Sequence, residues 1–176
     1  MLPTKEIFNI LSRIEGRVGI YLEDLKSGET FTINPTLVLP SASTIKIPIC
    51  ITVLVHAEAG YFSLNNIIDI APSNRVGGTG VLKELDSNLK LTIKDLTILM
   101  LILSDNIATN QLIDLVGIDS VNTFCKSLGM NNTILQRKMM DLEAARAGRD
   151  NFTTACDMGL LLKLLAQGRV INSTIS

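Results

Sequence analysis

The residues best suited to chemistry are a serine and a lysine three positions apart, Ser43 and Lys46, at the start of an apolar segment. On a helix these two side chains lie on the same side, one turn apart. The serine hydroxyl can then act as a nucleophile with the lysine amine as its base, provided that burial or a nearby cation keeps the amine neutral. The pattern is short, and Ser87 and Lys90 repeat it without any chemical group beside them. Taken alone, the pair leaves open both a catalytic site and a chance match.

A second set of polar side chains, Ser104-Asp105-Asn106, lies at a break between two predicted helices. At such a break, side chains point into a cleft and not along a helix face. A serine hydroxyl there can relay a proton, and an asparagine can hold the amide of a substrate. The alternative is an ordinary helix cap, because Ser, Asp and Asn are all favoured at helix N-termini.

The sequence favours neither histidine nor metal chemistry. His56 is the only histidine, and it lies thirteen residues beyond Ser43 on the same predicted helix. At about 1.5 Å of rise per residue the two are ~20 Å apart, which excludes a Ser-His-acid triad. The three cysteines, Cys50, Cys125 and Cys156, form no closely spaced pair. We therefore predict no metal site and no cofactor.

The composition limits the class of protein and its partners. The chain has 176 residues, of which 47% are hydrophobic and 19% charged, and this predicts a folded domain with a substantial core. The net charge is −1 and the basic residues do not cluster, so nucleic acid is not expected as a partner. The N-terminal segment lacks the apolar core of a signal peptide. The longest apolar runs, 47–55 and 96–103, are too short to span a bilayer.

Hydrophobic periodicity and turn residues predict a helix-rich α+β chain. It begins with an amphipathic helix over 3–15 and an antiparallel hairpin of 17–25 and 30–33. An apolar helix over roughly 43–59 ends at Gly60, and because it is apolar on every face it should be buried at the centre of the domain. The Gly-rich piece at 76–80 is typical of a turn and not of a phosphate loop. The remaining predicted elements are helices at 93–103, 107–116, 119–128 and 153–166, a short strand at 133–136, a loop at 137–152 and a helix cap at 172–174.

Together the two polar motifs resemble a known family. Ser43-Thr44-Ile45-Lys46 with Pro48, followed 58 residues after Lys46 by Ser104-Asp105-Asn106, is similar to the penicillin-recognising serine enzymes, and most of all to class A β-lactamases. The order of predicted elements agrees, and residues 133–154 resemble the omega loop of that family. The resemblance implies a multi-domain α+β fold. Residues 1–42 would form the N-terminal helix and hairpin of its α/β part, and 43–176 its helical region.

The resemblance also implies a role for each residue. Ser43 would attack the amide carbonyl of a β-lactam or of a peptidoglycan-like D-Ala-D-Ala peptide, with Lys46 as general base or proton relay. Ser104 would pass the proton to the leaving nitrogen, and Asn106 would hold the side-chain amide of the substrate. The backbone N–H of Ser43, at a helix N-terminus, would supply half of the oxyanion hole. Relatives are usually exported, yet we find no export signal here, so the sequence indicates no localisation.

One departure from the family pattern concerns turnover. An ungapped match of the omega loop places Met139 where the family has the glutamate that activates the deacylating water, and methionine cannot take a proton. Glu143 falls on the position of the water-holding asparagine. We expect Glu143 to be either a displaced base or a solvated loop carboxylate. Without a base, acylation would proceed and hydrolysis would stall, as in penicillin-binding proteins.

A second departure concerns the Lys-Thr/Ser-Gly motif, which the family carries on a strand after the omega loop. Here only Lys26-Ser27-Gly28 spells it, in the predicted hairpin turn. The missing strand would supply the second oxyanion donor and the basic group that attracts the substrate carboxylate. A lone two-stranded hairpin is also marginal in water. We therefore expect the front part of a larger fold, either truncated or completed by a second chain or a swapped C-terminal part.

These observations leave three functional hypotheses. The first is a class A β-lactamase-like serine hydrolase that is acylated at Ser43. The second is a penicillin-binding or esterase-like protein that forms an acyl-enzyme with poor turnover. The third is a non-catalytic, truncated member of the family.

Overall fold

The structure is a computed structural model and describes residues 2–171. The predicted cap at 172–174 lies outside the described residues. Seven α-helices, two 3-10 helices and six short strands are present in the described part of the chain. The helices are α1 (Thr4–Leu11), α2 (Lys46–Glu58), α3 (Ile93–Ile102), α4 (Asn106–Val116), α5 (Ile118–Ser127), α6 (Leu142–Arg146) and α7 (Ala155–Ala166). The strands are β1 (Ile20–Glu23), β2 (Thr30–Ile33), β3 (Leu39–Pro40), β4 (Ile67–Ile68), β5 (Leu91–Thr92) and β6 (Phe152–Thr153), and the 3-10 helices are Ala42–Ile45 and Pro72–Asn74.

Helix α2 is the centre of the core, as its apolar sequence predicts. Ile49 and Val53 are fully buried, and so is Ile45 just before the helix. The helix lies against α3, α4 and α5, so no face remains for solvent along its first two turns. A helix that is apolar on every side gains most free energy when it is surrounded in this way. The core therefore holds in a fixed orientation the first turn of α2, which carries Lys46, and the 3-10 helix before it, which carries Ser43.

The predicted hairpin is confirmed, with shorter strands. β1 and β2 pair antiparallel, with Ile20 opposite Ile33 and Glu23 opposite Thr30. Helix α1 covers one face through an edge-to-face contact of Phe8 and Phe31 at 5.5 Å between ring centroids. Helix α7 covers β1 from the other side, where the Lys163 amine lies 2.6 Å from the carboxylate of Glu23. Among residues 2–171, β1 has a pairing partner on one edge only.

Two-residue ladders connect segments that are far apart in the sequence. β3, which leads into the Ser43 segment, pairs with β6, and β4 pairs with β5. The predicted strand at 133–136 is reduced to a single bridge between Ile134 and Phe152. The β3–β6 ladder places the end of the 137–152 segment directly beside the start of the Ser43 segment.

The predictions for the 137–152 segment and for the end of the first helix were wrong. The 137–152 segment is not a plain loop, because Asp141 accepts a hydrogen bond from the Ala144 N–H at 3.0 Å and so caps the short helix α6. Strand β6 also begins within it, at Phe152. Helix α1 ends at Leu11, short of the predicted 3–15, and the Ser12 hydroxyl donates to the backbone oxygen of Asn9 just beyond its end.

Two further findings concern the described residues alone. Within 2–171, no helix is both long and apolar enough to cross a bilayer. The same residues contain no group of three His, Cys, Asp or Glu side chains that could hold a metal ion.

Candidate active site

Ser43 and Lys46 belong to two consecutive helical segments. Ser43 lies on the 3-10 helix and is exposed, whereas Lys46 opens α2 and is 2% exposed. The preceding turn is pinned by the Ser41 N–H, which donates to the backbone oxygen of Asn151 at 2.8 Å. Ala42 has a positive φ of 45°, which turns the chain sharply just before Ser43. The serine hydroxyl is thus brought to the surface while the lysine amine stays inside.

The buried amine of Lys46 is held by the residues of the Ser104-Asp105-Asn106 motif. Its Nζ donates to the backbone oxygen of Ser104 at 2.6 Å, to Ser104 Oγ at 2.9 Å and to Asn106 Oδ1 at 3.1 Å. Burial lowers the pKa of Lys46 below its usual value of 10.5, and the nearby charge of Asp105 opposes this shift. Burial thus shifts the pKa in the direction that a lysine base requires, while the three donated hydrogen bonds are those of a protonated amine.

The amine reaches the nucleophile through a second hydroxyl. Ser104 Oγ donates to Ser43 Oγ at 2.8 Å, and no hydrogen bond joins Lys46 directly to Ser43 among the described residues. The three groups therefore form a chain, from Lys46 Nζ through Ser104 Oγ to Ser43 Oγ. The hydrogen bonds run from the amine toward Ser43, so a proton that leaves Ser43 can pass to a neutral amine in two short steps after both hydroxyls have turned.

Asp105 shows that the cap and the site are both present in one motif. Its carboxylate is 1% exposed. One oxygen accepts from the N–H groups of Ile107 and Ala108, at 2.9 and 3.0 Å, and so caps α4. The other accepts from the N–H groups of Val81 and Leu82, at 2.7 and 2.9 Å. The cap alternative is thus correct for Asp105, while Ser104 and Asn106 turn toward Lys46.

The Gly-rich segment 76–80 is a turn, as expected, and it also forms part of the site. The Asn106 N–H donates to Thr79 at 3.0 Å, and Asn106 Nδ2 donates to Gly77 at 3.2 Å, both to backbone oxygens. Gly78 and Gly80 have φ of +82° and +122°. A Cβ on Gly78 would lie 2.6 Å from Asn106 Nδ2, and one on Gly80 would collide with the carboxylate of Asp105. Glycine is required because the backbone comes this close to the motif.

A cavity of about 340 Å³ lies in front of Ser43. Its opposite side comes from the 137–152 segment, including the thioethers of Met139 and Met140. Asp150 is the acid of its lining, and it lies 2.7 Å from the guanidinium of Arg137. The full lining is Pro40, Ala42, Ser43, Thr79, Asn106, Arg137, Met139, Met140, Asp150 and Asn151. The cavity therefore combines a polar side around Ser43 and Asn106 with a mixed side, on which two methionines lie among charged and polar residues.

The candidate base Glu143 is not brought to this cavity. It is exposed on α6 and is not part of the lining. Met139 does lie there, 9% exposed, and its backbone is held by Asn110, which accepts from the Met139 N–H at 2.7 Å and donates to its oxygen at 3.1 Å. The structure thus places the residue without a proton acceptor next to the nucleophile and the candidate base outside.

Sequence analysis missed four polar residues of the lining: Thr79, Arg137, Asp150 and Asn151. The glycines around Thr79 were a signal that sequence analysis could have used, because glycine often marks a close approach of the backbone to another group. The Arg137–Asp150 pair had no comparable signal, since the two are 13 residues apart across an irregular segment.

The residues set aside by sequence analysis have structural environments. His56 lies toward the far end of α2, with its ring 5.0 Å from that of Tyr61. Lys26-Ser27-Gly28 forms the hairpin turn, where Asp24 accepts from the N–H groups of Lys26 and Ser27. Burial raises the pKa of the thiols of Cys50 and Cys125 to about 11, so both stay protonated and unreactive near neutral pH.

The backbone N–H of Ser43 is a further hydrogen-bond donor at the site. Among residues 2–171 it has no hydrogen-bond acceptor. An N–H at the first turn of a helical segment that is free of an internal partner can donate to an incoming oxygen.

Comparison with known proteins agrees with this geometry. A family model described as the β-lactamase enzyme family matches residues 2–175. The β-lactamase from Sphaerobacter thermophilus DSM 20745 is 38% identical with a TM-score of 0.81, and the match covers 89% of this chain and 59% of that one. PBP-A, of which a mutant has been solved as an acyl-enzyme complex with penicillin G, is 27% identical with a TM-score of 0.86, covering 97% and 63%.

An ancestral class A β-lactamase shows the fold alone, at 24% identity, a TM-score of 0.83, and coverage of 95% and 65%. The chain therefore spans less than two thirds of the length of each of these three structures.

Proposed function

Because this chain belongs to the β-lactamase enzyme family, we propose that it is a serine hydrolase-like protein that is acylated at Ser43 by β-lactams or related amides. One observation carries the proposal. The hydrogen-bonded chain from Lys46 through Ser104 to Ser43 ends at an exposed hydroxyl that opens onto a cavity of about 340 Å³. A nucleophile, a buried amine with a lowered pKa and space for a substrate are thus in one place.

The proton path follows from the order of the three groups. Ser43 Oγ attacks the amide carbonyl while its proton moves to Ser104 Oγ, and the proton of Ser104 moves to the neutral amine of Lys46. When the carbon–nitrogen bond breaks, Ser104 donates a proton to the leaving nitrogen and takes one back from Lys46. The acyl group is then an ester of Ser43, and Lys46 is neutral again.

Two further groups are proposed to hold the substrate. Asn106 Nδ2 carries two hydrogens, of which one is bonded to Gly77, so the other is available to the side-chain amide of a substrate in the cavity. The free N–H of Ser43 is proposed as one donor of the oxyanion hole, where it would stabilise the negative oxygen of the tetrahedral intermediate.

We propose that the acyl-enzyme is released slowly. Met139 lines the cavity and cannot activate water, the Asp150 carboxylate in the lining is paired with Arg137, and Glu143 is exposed outside the cavity. PBP-A, a structural neighbour that has been solved in an acylated mutant form, supports a stable adduct as a plausible end state for this fold. Residual hydrolysis is assigned to Glu143 as a displaced base, which would act only after a movement of the α6 segment.

We also propose a protein partner for the sheet. β1 is paired on one edge only within the described residues, and a groove of about 350 Å³ runs beside it, lined in part by Leu25, Leu162 and Ala166. An open strand edge next to apolar side chains accepts a further extended strand. The occupant would be a strand of the family's C-terminal part, which also carries the Lys-Thr-Gly motif, supplied by a second chain or by a swapped C-terminal part. Addition of a polypeptide that carries this strand should raise acylation at Ser43, and no change in rate would exclude it.

Incubation with a labelled penicillin, followed by mass spectrometry, tests the proposed function. We expect one adduct per chain, located on Ser43 and stable for many minutes. Rapid loss of β-lactam absorbance without an adduct would support an efficient β-lactamase instead. A folded protein that forms no adduct, alone and with the Lys-Thr-Gly strand added, would support the non-catalytic alternative.

A further inference from the structure

The cavity in front of Ser43 has two walls that come from distant parts of the chain. The first wall is segment 76–80, which contributes Thr79, and the second is segment 137–140, which contributes Met139 and Met140. Neither wall contains a helix or a paired strand. Backbone hydrogen bonds within a wall therefore cannot fix the distance between the two walls, and side chains must fix it instead.

Both walls are fastened to α4 by polar side chains at every fourth position. Asn106 binds the first wall through Gly77 and Thr79. Asn110 and Asp114 bind the second wall, through the backbone of Met139 and the amine of Lys138. Positions four apart lie on one face of a helix, so α4 presents a single polar stripe to both walls.

Lys138 adds a direct connection between the walls. Its Nζ lies 2.6 Å from Asp114 Oδ1 and donates to Asn74 Oδ1 at 2.8 Å. Asn74 is fully buried two residues before the first wall, and its Nδ2 donates to Asp114 at 2.7 Å and to Gln111 at 3.0 Å. The amine thus closes a ring of hydrogen bonds that contains the second wall, α4 and Asn74, the last residue of the 3-10 helix that leads into the first wall. Hydrogen bonds to charged groups of this kind are stronger than neutral ones.

We propose that Lys138 is a positioning residue that sets the separation of the two walls and so controls how tightly the cavity binds a substrate before acylation. The inference rests on the proposed acylation of Ser43. The amine of Lys138 makes no hydrogen bond to Ser43, Lys46 or Ser104, which are held by α2 and by the cap of α4. Loss of Lys138 therefore weakens the binding step and leaves the chemical step in place.

Stopped-flow acylation with a fluorescent penicillin at increasing concentrations separates these two steps. In Lys138→Met we expect the half-saturating concentration to rise about tenfold while the limiting acylation rate stays within about twofold. Lys138→Arg keeps a cation with several donors and should restore most of the binding. The matched control is Lys90→Met, which removes a lysine paired with Asp69 outside the cavity and should leave both constants unchanged. A purely stabilising role would lower the fraction of reactive protein without a change in either constant, and would overturn the inference.

Hydrogen exchange gives a readout that does not require acylation. In Lys138→Met the amides of both walls should exchange faster together, and in Lys90→Met they should exchange as in the unchanged protein. If the unchanged protein forms no adduct, the proposed function fails, and the exchange result still decides whether Lys138 couples the walls. Unaltered exchange in segment 76–80 of Lys138→Met would refute the coupling.

Discussion

The two sides of the Ser43 cavity differ in what they can do with a proton. On one side, Lys46, Ser104 and Ser43 form an unbroken hydrogen-bonded chain, and in the described residues every buried polar side-chain atom has a partner. On the other side, Met139, Met140 and Asp150 line the same space, and the carboxylate of Asp150 is paired with Arg137. A thioether is at most a weak acceptor and cannot carry a proton. The comparison indicates that acylation and deacylation depend on separate regions, so the first can be complete while the lining, within the described residues, offers the second no carboxylate free of an ion pair.

The two sides also differ in how they are held. The acylating side stands on α2 and on the N-terminus of α4, which the core fixes. The opposite side is an irregular segment whose position depends on side-chain bonds to Asn110, Asp114 and Asn151. Substitutions on the acylating side should therefore change the acylation rate directly, whereas substitutions on the opposite side can alter deacylation while acylation continues.

The largest effect is expected on the acylating side, from Lys46→Arg. A guanidinium stays charged and cannot accept the proton of Ser43, so the acylation rate should fall by about 10³-fold. In the unchanged protein the rate should rise with pH, because only the neutral amine is a base, and should level off below pH 10.5, because burial lowers the pKa of Lys46. Labelled-penicillin kinetics between pH 5 and 10 would measure both. A rate that is independent of pH in the unchanged protein would exclude Lys46 as the base.

On the opposite side, Met139→Glu should supply the missing base. A carboxylate in place of the thioether can activate water next to the acylated serine, and we expect deacylation to accelerate by about 10²-fold. Met139→Gln has nearly the same shape without a base and is the control. The lifetime of the adduct by mass spectrometry gives the result. Equal lifetimes for the Glu and Gln variants would show that more than a base is absent from this wall.

A smaller effect is expected from Glu143→Gln. If Glu143 carries the residual hydrolysis, its amide analogue should lengthen the lifetime of the adduct by about tenfold, with acylation unaltered. Glu84→Gln, on an exposed residue outside the cavity, serves as control. A lifetime that does not change removes Glu143 from the mechanism and leaves it as a solvated carboxylate.

The smallest effect on the chemistry is expected from Gly80→Ala, which tests the support of the acylating side. The added Cβ would collide with Asp105 at a positive φ, so the free energy of unfolding should drop by about 2 kcal/mol, with a modest loss of acylation. Gly77→Ala is the matched control, because a Cβ there meets nothing within 4 Å. Urea unfolding of the two variants checks this. Equal free energies of unfolding for the two variants would mean that segment 76–80 shifts at little cost and does not hold Asp105 in place.

Several features were predictable because their signals are local. Thr92 and Asp95 form a capping box at the start of α3, a pattern of residue types three positions apart. The apolar sequence of α2 correctly predicted its burial, and Gly60 ends that helix with a positive φ. Helix α6 was missed because it has only five residues and depends on the single cap from Asp141. The ladders β3–β6 and β4–β5 have two residues per strand, which is too short for any periodic pattern.

The sequence by itself determined the residue types at the site, the central helix that begins at Lys46, and the family resemblance, since all of these depend on neighbours within a few positions. Only the tertiary structure decided that Lys46 reaches Ser43 through Ser104, 58 residues away from the lysine. It alone placed Met139 inside the cavity, left Glu143 outside and joined Lys138 to Asn74 across 64 residues. The physical reason is that these contacts form when separately folded segments dock. Burial of their apolar faces brings the polar groups together, and no local pattern encodes that distance.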